Sequence, residues 1–185
     1  MSKPTIVTIV ASLRQDSFNS RLVDTATAAG DDVATFVPFE DLAEIPPFDE
    51  DGEDEPHAAV LRLREVIAAA DGVLIATPEY NGSVPGQLKN ALDWASRPYA
   101  DNCLRGKRVA VVGASPSPGG ARRALADLRK ILGVIGADVS DGEVSVAHAH
   151  ERLSTPGPSA DVALHEELRD LLPKLTGPQQ AELAA

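Results

Sequence analysis

The sequence predicts an α/β fold: a doubly wound, five-stranded parallel sheet with helices on both faces, in three α/β/α layers. Two observations carry this. Runs rich in β-branched residues alternate with amphipathic stretches in the order βαβαβαβαβα, and such alternation forms parallel sheets through right-handed crossovers. The runs GVLIAT at 72–77 and RVAVVG at 108–113 are apolar on both faces, as strands covered on both sides by helices must be.

The elements follow in order. Residues 5–10 (TIVTIV), bounded by Pro4 and Ser12, read as a buried first strand. Residues 19–29 place Leu22, Val23, Ala26 and Ala29 on one helical stripe. In 32–38, alternating Val33, Thr35 and Val37 predict a second strand. Residues 57–70 carry Val60, Leu63, Ile67 and Ala70 at helical spacing and lead into the strand 72–77. Residues 84–96 align Leu88, Ala91, Leu92 and Ala95 before the strand 108–113. Leu125, Leu128, Leu132 and Ile135 keep register through a helix over 120–135. A fifth strand over 138–146 carries an interruption at Asp141-Gly142, and a final amphipathic helix over 159–173 takes Ser159 as its N-cap. The expected unit is one domain over 1–175, with a frayed tail at 176–185.

Composition narrows the function classes. Hydrophobic residues make up 43% of the 185 and charged residues 24%, which excludes wholesale disorder. The net charge of −11 resides mainly in residues 40–55, where nine acids occur with no Lys or Arg, leaving −2 for the rest. That stretch, with Pro46, Pro47, Gly52 and Pro56, reads as a solvated loop, with a partner-docking or metal-attracting patch as its alternative. The balance argues against nucleic-acid binding through phosphates. A single cysteine, Cys103, excludes an internal disulfide and any multi-cysteine metal site. No run approaches the ~20 apolar residues of a membrane span, and the apolar run at 5–11 is too short for a signal peptide. The expected setting is cytoplasmic.

Ligands of such sheets bind outside the carboxyl ends of the strands, at the switch in strand order. Three loops lie there. The first, 11–19, offers Ser12, Arg14, Ser17 and Asn19 beside a helix N-terminus, a donor set that suits a phosphate monoester; simple N-capping by Ser17 and Asn19 is the competing reading. It is not G-x-G-x-x-G, and the chain has no P-loop. The second loop, 77–86, combines Glu79, Tyr80, Asn81 and two glycines, a mixture that suits the face and edges of a planar heterocycle. A turn at Asn81-Gly82 with Tyr80 in the core is the alternative. The third, 113–120, brings backbone close to a flat ligand or is a linker.

The run Ser12-Leu13-Arg14-x-x-Ser17-Phe18-Asn19 resembles the phosphate loop of the NAD(P)H-dependent FMN reductase family. Pro78-Glu79-Tyr80-Asn81-Gly82-Ser83-Val84-Pro85-Gly86, continuing through Leu88-Lys89-Asn90-Ala91-Leu92-Asp93-Trp94, is similar to that family's second signature, and Gly113-Ala114-Ser115 with Gly119-Gly120-Ala121-Arg122 to its third loop. The resemblance spans roughly residues 4–175 and implies a flavodoxin-like fold. By it, Ser12, Leu13, Arg14, Ser17, Phe18 and Asn19 would hold the FMN phosphate and ribityl chain. Pro78, Glu79, Tyr80, Asn81 and Gly82 would border the isoalloxazine, with Ser115 beside it. Ala11 replaces a usual glycine, and Pro116 and Pro118 stiffen the third loop.

The resemblance further implies hydride transfer from NADPH or NADH to FMN and onward to a small-molecule acceptor: a quinone, free flavin, azo dye or metal oxyanion. It implies no catalytic side chain and no metal. It also implies a homodimer or homotetramer, with the Trp94 helix and Arg97-Pro98-Tyr99 as the candidate boundary. The rival is a non-enzymatic flavodoxin-type electron carrier whose acidic segment docks partner proteins. His148 and His150 read as exposed strand histidines, and Cys103 as a packed thiol.

Overall fold

The structure, a computed structural model, describes residues 2–176. Five strands form one parallel sheet: β1 (Thr5–Val10), β2 (Thr35–Phe39), β3 (Gly72–Thr77), β4 (Arg108–Ala114) and β5 (Asp138–Val146), in the order β2-β1-β3-β4-β5. The chain runs outward from β1 to β2, then crosses back to β3. The strand order therefore reverses between β1 and β3, and the crevice lies between the loops that follow them.

The faces follow from strand alternation. Val7, Ile9, Val73, Ile75, Val109 and Val111 point to one side, under α2 (Ala58–Ala69), α3 (Gly86–Ala95) and α4 (Arg122–Ile135). Ile6, Leu74, Ala110, Val112 and Val144 point to the other. There α1 (Phe18–Gly30), α6 (Val162–Leu171) and α7 (Pro173–Thr176) cover them, joined by the single turn α5 (Ala149–Arg152). This is the predicted three-layer arrangement.

Several boundaries differ from the sequence reading, each for a local reason. The second strand begins at Thr35, because the N–H groups of Val33 and Ala34 both donate to Gly30 O and the chain is still turning out of α1. The N-cap of α6 is Asp161, whose carboxylate accepts from Leu164 N–H; Ser159 instead donates to Arg152 O. His148 and His150 are not on a strand. His148 adopts φ 48° at the start of α5, which contains His150. Residues 177–185, the expected tail apart from Thr176, lie outside the described residues.

The fifth strand is interrupted where Asp141-Gly142 predicted it. Val109 pairs with Val139 but Val111 with Glu143, so Ser140, Asp141 and Gly142 stand against Ala110 alone. Arg129 braces this bulge from α4, donating to Ser140 O at 2.7 Å, Gly142 O at 2.6 Å and the Glu143 carboxylate at 3.0 Å.

The acidic segment is more than a solvated loop. Its carboxylates face outward, but two 3-10 turns, Asp41–Glu44 and Glu50–Gly52, organise it. Leu42 and Ile45 are buried. The α3 side chains fasten its backbone: Gln87 donates to Leu42 O and Ile45 O, Asn90 accepts from Phe48 N–H, and Trp94 Nε1 donates to Pro46 O at 2.9 Å. Trp94 is 3% exposed and meets Phe48 edge-to-face at 4.9 Å.

Cys103 donates its S–H to Ala95 O, and burial pushes the thiol up to about 11 from its ordinary 9.0. Below pH 9 the thiol is neutral folded and unfolded alike, so its contribution is fully present. Between pH 9 and 11 the unfolded chain ionises first, and that stability is lost as pH rises. The stability gap between wild type and Cys103→Ala should therefore narrow from pH 9 to 11. Alkylation of the folded protein at pH 8 should run about a hundredfold slower than after unfolding, following the thiolate fraction. Alkylation at equal rates in the two states would refute the assignment.

Candidate active site

A cavity of about 450 Å³ opens at the carboxyl ends of β1, β3 and β4. Ser12, Arg14, Ser17, Phe18 and Asn19 line it from the first loop, Pro78, Glu79 and Tyr80 from the second, and Ala114, Ser115 and Pro116 from the third. The sequence signatures, separated by some sixty residues, thus converge because parallel strands deliver their exits to one edge.

At one end the chain presents donors. Ser17 caps α1, its Oγ accepting from Asn19 N–H at 3.2 Å. The backbone N–H groups of Asp16, Ser17 and Phe18 make no hydrogen bond within the described residues. Arg14 is exposed, donates to Asp16 O and lies 5.6 Å from the centre of the Phe18 ring. Free amides, hydroxyls and a guanidinium around one concavity are donor types that suit an anion.

Asn19 has a structural part that the sequence did not reveal. Its amide is spent on the backbone of Ala114, donating to the carbonyl at 3.0 Å and accepting from the N–H at 2.9 Å. It therefore ties α1 to the end of β4, the strand that carries Ser115.

The second loop is braced from α4. Ala121, in the left-handed region at φ 67°, offers no side-chain cap to that helix. The Glu79 carboxylate fills the gap, accepting from Arg123 N–H at 3.1 Å and lying 3.5 Å from Arg123 Nε. Ser83 Oγ donates to Asp127 at 2.7 Å. Tyr80 and Ser83 exchange both backbone hydrogen bonds across Asn81 (φ 53°) and Gly82 (φ 81°), a tight turn that needs the positive φ these residues tolerate. Tyr80 is 50% exposed at the cavity rim, not in the core.

Three of the residues singled out from sequence are not in the lining: Leu13, 57% exposed, and the turn residues Asn81 and Gly82. Conversely, Ala114 and Pro116 line the cavity although neither was chosen. Their signal was positional only, flanking Ser115 where β4 ends. Ala11, in place of glycine, donates its N–H to Ala76 O and buries its methyl in the core.

Comparison with known proteins decides what this crevice belongs to. Residues 4–151 match the family model described as NADPH-dependent FMN reductase. The chain belongs to that family. This family member is 35% identical over 153 residues to a 2-hydroxy-1,4-benzoquinone reductase of a Burkholderia species, covering 82% of this chain and 83% of that one. It is 36% identical over 172 residues to an NAD(P)H-dependent FMN reductase of Pseudomonas aeruginosa, covering 92% of each. Among solved structures, the flavoenzyme NAD(P)H:(acceptor) oxidoreductase FerB of Paracoccus denitrificans superimposes with a TM-score of 0.84 at 34% identity, over 93% of this chain and 94% of that one. The reductase family takes FMN and a nicotinamide, which bears out both expectations and favours the enzyme over the electron carrier. Among the described residues of this reductase, no helix is long and apolar enough to cross a membrane.

Proposed function

We propose that this chain is a cytosolic, FMN-dependent NAD(P)H oxidoreductase whose acceptors are quinones, with free flavins, azo dyes and metal oxyanions as further candidates. The observation that carries the reading is the single cavity that joins an anion-binding end at 12–19 to a flat, partly apolar end at Pro78, Tyr80, Ser115 and Pro116. Its volume of about 450 Å³ falls within the range of small-molecule sites. The residues present therefore fit FMN.

Bound FMN supplies the hydride and electron chemistry. The chain's residues bind and orient. Arg14, Ser12, Ser17 and the free amides of the first loop take the phosphate. Asn81 and Gly82 are assigned the outer edge of the ring site through the turn that carries Tyr80, and Leu13 its place through the backbone of the phosphate loop. Glu79, fixed on α4, holds the second loop at constant height. No side chain is assigned a proton.

The test is direct. Purified protein loaded with FMN should be yellow and oxidise NADPH on addition of 1,4-benzoquinone with no partner protein. A colourless protein after FMN addition, or turnover only with a separate reductase, would overturn the reading.

Arg14→Ala should weaken FMN by roughly 1.5–3 kcal/mol, the worth of a charge-assisted phosphate contact. Riboflavin, which lacks the phosphate, should bind variant and wild type alike. Equal loss for both flavins, measured by fluorescence quenching, would remove Arg14 from the phosphate site.

We also propose a homodimer or homotetramer. Trp94 faces inward, so it is not the contact itself. The supporting feature is an apolar groove between α3 and α4 whose walls include Tyr99, Ile131, Val134 and Ile135. Val134 is 73% exposed and Tyr99 66%. Light scattering at micromolar concentration should give a multiple of 19.4 kDa, and Val134→Arg should lower it. A wild-type monomer would count against the assembly.

A further inference from the structure

The first turn of α1 holds a second guanidinium that no sequence motif singled out. Arg21 follows the N-cap Ser17 by one turn, its N–H donating to Ser17 O at 3.2 Å. Helical side chains lean toward the N-terminus, and this one lies back along the loop that precedes the helix. Its side chain is only 14% exposed. Nη1 donates to Leu153 O at 2.7 Å, and Cζ lies 5.6 Å from the centre of the Phe18 ring. Arg14 Cζ lies at the same distance from that ring. Phe18 is thus a platform shared by two cations, one at the cavity and one buried behind the loop.

The charge environment of Arg21 is unusual. Its Nε is buried without a hydrogen-bond partner, the one such side-chain nitrogen or oxygen among the described residues. Its nearest carboxylate, Asp16, stands 3.9 Å from Nη2 and is itself 75% exposed. A buried guanidinium with so little neutralisation projects its field into the first loop, because low-dielectric surroundings screen it less than water does. A dianionic group seated at that loop would complete the balance.

We infer that Arg21 is a positioning residue for the anion end of the cavity: it clamps the Phe18 ring against the Leu153 turn, so that Arg14 is presented on a fixed surface to a phosphate monoester. This rests on the proposed flavin site. Cation–ring contacts of this kind contribute modestly when exposed and more when desolvated, so the expected effect is selective rather than total.

The experiment measures FMN and riboflavin dissociation constants of the apo-protein by fluorescence quenching, with no turnover involved. Arg21→Gln should raise the FMN constant about five- to tenfold and leave riboflavin within about twofold, since the ring site is untouched. Arg21→Lys, which keeps charge but loses the planar face, should fall between. In a Phe18→Leu background, Arg21→Gln should add less than about twofold, because the platform through which it acts is gone. Equal weakening of both flavins would mark a merely structural residue and overturn the inference. So would an undiminished effect in the Phe18→Leu background. If Arg14→Ala is selective for FMN while Arg21→Gln is not, this inference alone fails. If the wild type does not distinguish FMN from riboflavin, the phosphate site itself fails and takes the inference with it.

Discussion

Asn19→Ala should destabilise the protein by about 2–5 kcal/mol, although it removes only one small side chain. The Ala114 N–H and carbonyl would both lose their partners in a strand end that is 2% exposed, and each buried, unsatisfied backbone group costs roughly 1–3 kcal/mol. Flavin affinity should fall with stability, since α1 and the Ser115 loop lose their common anchor. Asn19→Asp separates the cause from simple loss of volume. Its carboxylate can still accept from the Ala114 N–H but opposes the carbonyl, so it should rescue little at pH 7 and more near pH 4, where the acid can donate. Chemical denaturation of both variants at the two pH values is the measurement. A loss below about 1 kcal/mol in Asn19→Ala, or no pH dependence in Asn19→Asp, would show that the two bonds are not the anchor.

Trp94→Ala should cost about 3–5 kcal/mol, the range for deleting a large buried aromatic. The ring fills the space between α3 and the acidic segment, and its loss leaves Phe48 without its edge-to-face partner. Trp94→Phe should cost only about 1–2 kcal/mol. It keeps an aromatic in place, and Pro46 O retains its bond from Asn90 Nδ2 at 2.8 Å. The segment at 40–55 should become a protease-sensitive site in the alanine variant and not in the phenylalanine one. Denaturation midpoints with limited proteolysis decide this. Equal costs for the two variants would mean that the indole N–H, not the ring, secures the segment.

The two residues illustrate what the sequence could and could not say. Trp94 stands beside the apolar stripe of its helix, where the sequence pointed to a subunit boundary instead; its contact with Phe48 joins residues nearly fifty positions apart, and no local pattern encodes that. The strands were legible for a physical reason: a parallel strand covered on both sides must be continuously apolar, as GVLIAT and RVAVVG are. The edge strand β2 was misplaced because an edge makes weaker demands. Val33 satisfied the alternation while the backbone was still satisfying Gly30 O.

The site divides in the same way. Ser12, Arg14, Ser17, Glu79 and Tyr80 could be chosen because their side chains advertise chemistry at strand exits; Pro78 and Ser115 were chosen through the family resemblance alone. Ala114 could not, since what it contributes is backbone. Arg21 belongs to none of the sequence signatures. Only its burial against Phe18 and Leu153 brings it to the site.

The bulge in β5 bears on which way the rest of that strand faces. Between Val109 and Val111 the fourth strand advances two residues, while the fifth advances four, from Val139 to Glu143. The surplus is even, so Val144 and Val146 still enter the same core as Val112 and Ala114. Ser145 still reaches Gly120 O at 2.7 Å, pinning the loop that carries Ser115. An odd change in length inverts every side chain beyond it if the strand stays regular, and keeps them only if a different bulge absorbs the residue. Gain or loss of a single residue at the 140–142 bend that no bulge absorbs would thus unseat the loop at the end of the neighbouring strand β4, whereas a two-residue step leaves it in place.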